Sequence, residues 1–332
     1  EELGVARLTF IGNWSPPYST ENQVAYAFER LGWTVNRVQQ EAAQAAGPDA
    51  YLRTVEGSDL SMYVRTHNGT ALGPVWTDVW RRCETDGIVT AAVHLDVFVG
   101  LAREHLLAEH DPLFTVGHLF TADGSDECAA AMRKYGYRHH WLPPGVDERV
   151  LDRSPNPTMG SGIEIVFVGS RHGYHAEHPW RQTLLDTLDG RYGPRFGWWG
   201  NGSPRGVLRG PELDALYASD RIVVGDSCFG GDRDHYWSDR VPETLGRGGL
   251  LLHPLLPDDW YEHGRHYVGY LPHPDHLIAQ VERTLAMSPG DRAKIKRQGR
   301  ALVAGRDTWT HRARQILATI GLTAMMEEAQ DG

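Results

Sequence analysis

The run Ile163 to Gly169 (IEIVFVG) constrains the fold of this chain more than any other segment. Its apolar residues are almost continuous, which suits a strand covered on both faces, and so a parallel sheet with helices on each side. Similar short runs recur. Arg7 to Gly12, Thr34 to Val38, Leu60 to Arg65, Gly87 to His94 and Phe114 to Thr121 come before it, and Arg195 to Trp199, Ile222 to Val224 and Leu250 to His253 come after. Helical stretches separate them, among them Thr20 to Leu31 with Thr20 as N-cap, Pro179 to Leu188, Pro211 to Ser219 and Pro242 to Gly246. Strand and helix in alternation predict a doubly wound α/β architecture.

With 332 residues, two domains are expected, each large enough for its own core. The segment Ser154 to Gly162 holds two prolines and two glycines and almost nothing apolar, so it reads as a linker. Residues 1–153 then form an N-terminal Rossmann-like domain and residues 163–306 a second one. Asp275 to Met287 and Pro289 to Val303 have helical spacing. Asp307 or Thr308 can cap a final helix within residues 307–332, which buries Trp309, Ala313, Ile316, Leu317 and Ile320 and packs back toward the N-terminal domain.

The formal net charge is −10, and residues 1–153 carry 13 Lys and Arg against 21 Asp and Glu. An acidic first half is a poor general surface for polyanions, although it leaves room for a local basic groove. Cys83, Cys128 and Cys228 form no Cys-x-x-Cys pair, which argues against a disulfide framework. The longest apolar stretch, Leu250 to Leu256, is broken by His253 and Pro254, so no membrane insertion is expected. The N-terminal residues lack the pattern of a signal peptide, and the protein reads as cytoplasmic.

The segment His235 to Gly249 (HYWSDRVPETLGRGG) is the richest in chemistry. It sets Glu243 at a helix start, behind His235, Trp237, Ser238 and Arg240, and ends at a glycine pair before an apolar strand. An acid there can grip a polyol such as a ribose, while free helix N–H groups face a phosphate. As structure alone, Glu243 is a first-turn acid favoured by the helix dipole. The loop Gly169-Ser170-Arg171-His172 leaves the buried strand where open α/β sheets bind ligands, and Arg171 suits a diphosphate. Its plain alternative is a tight turn with a solvated arginine.

In the first half, His94 and Asp96 follow a strand and can act as a base or hydrogen-bond a sugar; equally, one can cap a helix while the other is a satisfied buried group. Asn13, Tyr18, Ser19 and Glu21, in and beside the first loop, are assigned to the acceptor side with them. His172, His175 and His178 have a spacing that resembles a metal site, but with Gly173 and Pro179 among them they read as loop, and no metal is expected. The basic run Arg292, Lys294, Lys296, Arg297 and Arg300 reads as a solvated helix face.

From about Pro144 to Ile316 the chain resembles group-1 glycosyltransferases of the B fold, especially the spore-maturation-protein-like branch, with a form also similar to bacteriophage members. The motifs that carry this are Pro-Pro-Gly-Val-Asp147, Phe-Val-Gly-Ser170, the stretch Leu213 to Asp220, the motif Arg240 to Gly249, and Thr308-Trp-Thr-His-Arg-Ala313. The resemblance implies two facing Rossmann-like domains, acceptor then donor, with a C-terminal helix. It implies that Glu243 holds the ribose of a nucleotide-diphosphate sugar, a UDP-sugar first of all, and that Arg171 and Arg240 hold the diphosphate. The base is placed near Gly200 to Gly210. Many relatives have two glutamates eight positions apart, and here the earlier position is His235. Transfer with retention and without a cofactor or metal follows from the resemblance; for an inverting reaction, Asp96 is the first candidate base and His94 the second.

The acceptor hydroxyl is left open between a metabolite, glycan or protein and DNA carrying 5-hydroxymethylpyrimidines. DNA needs a basic rim, for which Arg65 to His67, Arg81-Arg82 and Arg133 to His140 are candidates, and an aromatic wedge, from Trp14, Tyr18 or Trp76. A nucleotide-sugar epimerase or a non-catalytic binder is the remaining class.

Overall fold

Phe10 and Ile11 are neighbours in the first strand, both are fully buried, and they enter different cores. Met62 and Tyr63 divide in the same way. A strand with both faces covered must lie inside a sheet that has helices on each side, as the apolar runs predict. The computed structural model describes residues 5–65, 72–151, 162–171, 178–219, 221–231, 233–257 and 259–323. It divides into two compact units, Glu1–Pro143 with Trp309–Gly332, and Pro144–Thr308.

The first unit runs β1 (Arg7–Gly12), α1 (Thr20–Arg30), β2 (Thr34–Gln39), α2 (Gln40–Ala46), α3 (Pro48–Val55), β3 (Leu60–Val64), α4 (Trp76–Thr85), β4 (Val89–His94), α5 (His105–Ala108), β5 (His118–Thr121), α6 (Asp126–Lys134) and β6 (His139–Trp141). Its strands are parallel, in the order β2-β1-β3-β4-β5-β6. The second unit runs β7 (Ile165–Val168), α7 (Arg181–Tyr192), β8 (Phe196–Trp199), α8 (Gly210–Ala218), β9 (Ile222–Val224), α9 (Arg240–Gly246), β10 (Leu250–Pro254), β11 (Val268–Tyr270), α10 (Pro274–Leu285) and α11 (Pro289–Arg306). Its sheet is also parallel, in the order β11-β10-β9-β7-β8. Ile165 and Phe167 face one core and Val166 and Val168 the other.

The last helix, α12 (Trp309–Ile320), belongs to the first unit. Trp309, Ala313, Ile316 and Leu317 form one apolar stripe that joins the core with Phe28 and Phe10, and Trp309 Nε1 donates to Gln23 Oε1 at 2.9 Å. Residues 144–151 fall in the second unit, where Val146 N donates to Asp307 O at 2.9 Å and Gly246 lies against the Val146 side chain. The linker expected from Ser154 to Gly162 lies, all but its last residue, outside the described residues.

Several expectations shift at the ends of elements. Ser19, not Thr20, caps α1, its hydroxyl accepting from Asn22 N at 3.3 Å. The strand expected from Phe114 starts only at His118, because the Asp111 carboxylate accepts from Leu113 N at 2.9 Å and holds a turn there. The edge strands β6 and β11 are three residues each and have too little alternation to be read from sequence. The basic run on α11 is partly structural: Lys296 Nζ donates to Ser219 O at 3.0 Å and Arg300 donates to Leu151 O. Among the described residues no helix is long and apolar enough to cross a membrane.

Candidate functional site

In the second sheet the strands on either side of β7 lead the chain in opposite directions, so a crevice opens at the carboxyl ends of β7 and β9. Gly169-Ser170-Arg171 leaves β7 there, and Gly225-Asp226-Ser227 leaves β9. Two glycines let backbone come this close. A Cβ on Gly200, just past β8, would stand 2.0 Å from Gly169 O, and the residue has φ +152°. A Cβ on Gly225 would meet the His253 ring at 2.7 Å. Trp198 Nε1 donates to Gly169 O at 2.6 Å and fixes the first loop from its outer side.

Asp226 organises the crevice, and the sequence reading missed it. Its carboxylate is fully buried and accepts from Arg181 Nε at 2.8 Å and Nη2 at 3.1 Å, and from Arg240 Nη1 at 3.1 Å. His178 Nδ1 lies 3.0 Å away. Burial favours the neutral acid, but the Arg181 charge, the His178 hydrogen bond and the Arg240 charge win and hold the carboxyl far below its usual range. The same two arginines reach the first loop: Arg181 Nη1 donates to Ser170 O at 3.3 Å, and Arg240 Nη2 to Val168 O at 2.8 Å. Both guanidiniums lie over the Phe167 ring, at 5.7 and 5.1 Å. One carboxylate thus fixes two loops and gathers more positive charge than it carries. The sequence signal was available, as a Gly-Asp step directly after an apolar strand.

Glu243 lies in the first turn of α9, its side chain 21% exposed. Among the described residues the one cation within 4 Å of its carboxylate is Arg247, whose Nη1 is 3.9 Å from Oε2. Arg247 is locked by a buried pair with Asp214 on α8, Nε to Oδ1 at 2.6 Å. Burial raises the Glu243 carboxyl above its ordinary value against the opposing Arg247 charge. A carboxylate so held is short of donors and suited to hydroxyl groups of a ligand. Ser238 Oγ is buried without a hydrogen-bond partner among the described residues, another open polar group beside it in sequence.

The other residues assigned to the donor are placed differently. Arg240 is largely committed to Val168 and Asp226. Arg171 pairs with Asp186 on α7, an exposed partner, and lies over the Trp198 ring at 5.5 Å. His235 is exposed, with φ +53°. Trp237 is fully buried and packs on Trp260 and Tyr261, with ring centroids 5.2 and 5.6 Å away, so its ring serves the core and is not offered to a ligand. His172 and His175 lie outside the described residues, while His178 serves Asp226. Among the described residues no group of three His, Cys, Asp or Glu side chains is placed to hold a metal ion.

In the first unit, His94 ends β4 fully buried, with its Nδ1 hydrogen-bonded to Arg65 O and its ring 4.6 Å from Phe98. Burial first, then the charges of Arg65 and Arg103, pull its pKa well below the usual value and leave a neutral ring. Nδ1 therefore carries the proton and Nε2 keeps its lone pair, 3.7 Å from Asp96 Oδ2. Arg65 is paired internally, its Nη1 3.0 Å from both oxygens of buried Asp111. Glu21 is buried and accepts from Asn13 N at 3.3 Å, and Ser19 caps α1, so both shape the first loop. Tyr18 is 49% exposed.

Residues 178–318 match the family model described as glycosyl transferase-like. Over that segment the chain is similar to this family. No curated protein matches its sequence. Among solved structures it is similar to Anabaena HepE in complex with UDP-glucose, with TM-score 0.62, 13% identity, and 95% of this chain and 99% of that chain covered. Sucrose-phosphate synthase from Thermosynechococcus elongatus gives TM-score 0.64 and 12% identity over 95% of this chain and 98% of that one. An α-glucosyltransferase in complex with UDP-glucose and DNA containing an abasic site gives 0.66 and 10%, over 96% and 100%. At these identities the likeness carries the fold, the two parallel-sheet α/β units of the GT-B glycosyltransferases.

Proposed function

We propose that this protein transfers a sugar from a UDP-sugar to an acceptor hydroxyl, with retention and without a metal. Glu243 carries the reading: a partly exposed carboxylate, steadied by Arg247 and short of donors, lies at a helix start within the segment that matches the glycosyl transferase-like model. It binds the ribose hydroxyls. Arg171, the remaining N–H donors of Arg240 and the backbone N–H groups after β7 hold the diphosphate, and Ser238 completes the set. Breaking the glycosidic bond builds negative charge on the leaving diphosphate, and fixed donors in a buried setting stabilise it without reorganising. The motif Arg240 to Gly249 supports a kinship with the spore-maturation-protein-like branch. The three free, buried cysteines support a reducing compartment, the cytoplasm.

On the acceptor side, the His94 Nε2 lone pair and Asp96 accept from the incoming hydroxyl, with Asn13, Ser19, Glu21 and Tyr18 forming its surroundings. A second reading makes that hydroxyl part of 5-hydroxymethylcytosine in DNA, favoured by the likeness to the α-glucosyltransferase solved with DNA.

Calorimetry with UDP-glucose and other UDP-sugars tests the donor half. Glu243→Ala should weaken binding about 10- to 100-fold, as expected for a charged hydrogen bond to a diol, while the fold is kept. Unchanged affinity would overturn the assignment. For the acceptor, hydroxymethylated and plain DNA are incubated with donor and digested for mass spectrometry. A hexose mass confined to the modified DNA selects the second reading, and no shift with any donor removes it.

A further inference from the structure

All three cysteines are buried and none is in a disulfide, but their surroundings differ. Cys83 lies in the apolar core of the first unit, where burial first, then the charges of Asp86 and Glu84, push its thiol up to about 11. Such a thiol is inert. Cys128 is 3.9 Å from His139 Nε2, but that nitrogen is already 2.8 Å from the Thr121 hydroxyl, and burial pulls His139 down to about 4, a weak proton acceptor. Cys228 Sγ is 3.7 Å from His178 Nε2 and 3.3 Å from the Tyr236 hydroxyl. His178 Nδ1 is in turn 3.0 Å from Asp226 Oδ2. Thiol, imidazole and carboxylate follow one another as nucleophile, base and orienting acid.

We propose that Cys228 is a modification site, a thiol activated by His178 and Asp226 that small peroxides oxidise. The thiol proton passes to His178 Nε2, and Tyr236 can then turn its hydroxyl hydrogen toward the thiolate. The sulfur attacks one peroxide oxygen, the O–O bond breaks and an S–O bond forms. Sulfur loses two electrons, the peroxide is reduced, and the departing hydroxide takes the proton from His178 to leave as water. The charged and titratable groups around the His178 and Asp226 pair are Arg181 from α7, Arg240 from α9, His253 from β10, Tyr270 from β11 and Tyr236 from the loop. Two guanidiniums against one carboxylate leave a positive surplus, which favours a thiolate.

Access suits a small reagent. Cys228 is 2% exposed, and Phe229 and His235, which follow it in sequence, both hold φ +53°, a backbone region that costs energy for residues other than glycine. A sulfenate at this place would disturb the partners of Asp226.

The test does not depend on donor binding. The full chain is treated with hydrogen peroxide in the presence of dimedone, and adducts at Cys83, Cys128 and Cys228 are followed by peptide mass spectrometry. Cys228 should be labelled at least about tenfold faster than Cys83, and His178→Gln should slow it about tenfold with Cys83 unchanged. The pH dependence of iodoacetamide labelling in the unmutated chain gives a second measure should that variant fold poorly. Its midpoint should fall below that of a free cysteine, about 8.5. Labelling of Cys228 no faster than Cys83, or a midpoint at or above the free value, would overturn the proposal.

Discussion

The two sheets share a strand order around their first strand, β2-β1-β3-β4 in one and β8-β7-β9-β10 in the other, yet their carboxyl edges differ in electrostatics. In the first unit charge is cancelled where it arises: Arg65 is matched by Asp111, and His94 is held neutral by burial. In the second, Asp226 faces Arg181, Arg240 and His178 together, and a positive surplus remains. The same topology thus supplies a neutral, lone-pair edge and a cationic edge. Topology fixes where a ligand can bind, and a few side chains at the strand ends decide its charge.

The contrast is most directly broken at its centre. Asp226→Asn leaves two buried guanidiniums without their counter-charge and should cost about 3–5 kcal/mol in urea unfolding. Asp111→Asn strands one arginine and should cost less; equal losses would mean that the two edges are built alike.

Acid should separate the units next. His94, His118, His139 and His140 of the first unit are all held below the ordinary histidine value, His118 and His139 at about 4, whereas the second unit has His253, at about 4, and His266. For a base whose folded pKa is lowered, the unfolded chain binds more protons between the two values, so stability is full above about 6.5 and falls as pH drops through that window. For half-buried His139 the loss is up to about 2 kcal/mol by pH 4. The Asp226 carboxylate is shifted in the same direction, but from a lower starting value, so its contribution begins to fade only below about pH 4, the unfolded aspartate value. Hydrogen exchange at pH 7 and pH 5 should show the first unit losing protection first.

Gly200→Ala is a smaller and more local test. The added methyl group meets Gly169 O, so a loss of about 1–3 kcal/mol is expected, together with weaker UDP-sugar binding. Arg171→Ala should be the mildest for the fold, below about 1 kcal/mol, since its pair with Asp186 is at the surface. Its UDP-sugar affinity should nonetheless fall. Unchanged affinity would shift the diphosphate contact to Arg240 and the backbone.

Much of this architecture was legible because burial on both faces writes itself into sequence as unbroken apolar runs, as at Ile165–Val168. Glu243 and the Gly169 loop were legible because helix starts and strand ends carry local signals. Trp237 was misread because an aromatic in a polar motif looks the same whether it faces ligand or core; its packing on Trp260 and Tyr261 depends on a segment 23 residues further along. Edge strands β6 and β11 were missed because their three residues, His-His-Trp and Val-Gly-Tyr, form no apolar run, unlike the equally short β9.

What the sequence determined alone was therefore local: which segments form parallel strands, where loops leave them, and that an acid begins α9. Arg181, Asp226 and Arg240 come from three separate elements, and no spacing rule links them. Only the folded sheet brings both guanidiniums within 3.1 Å of the Asp226 carboxylate, and their attraction to it becomes strong only once water has been excluded around Asp226.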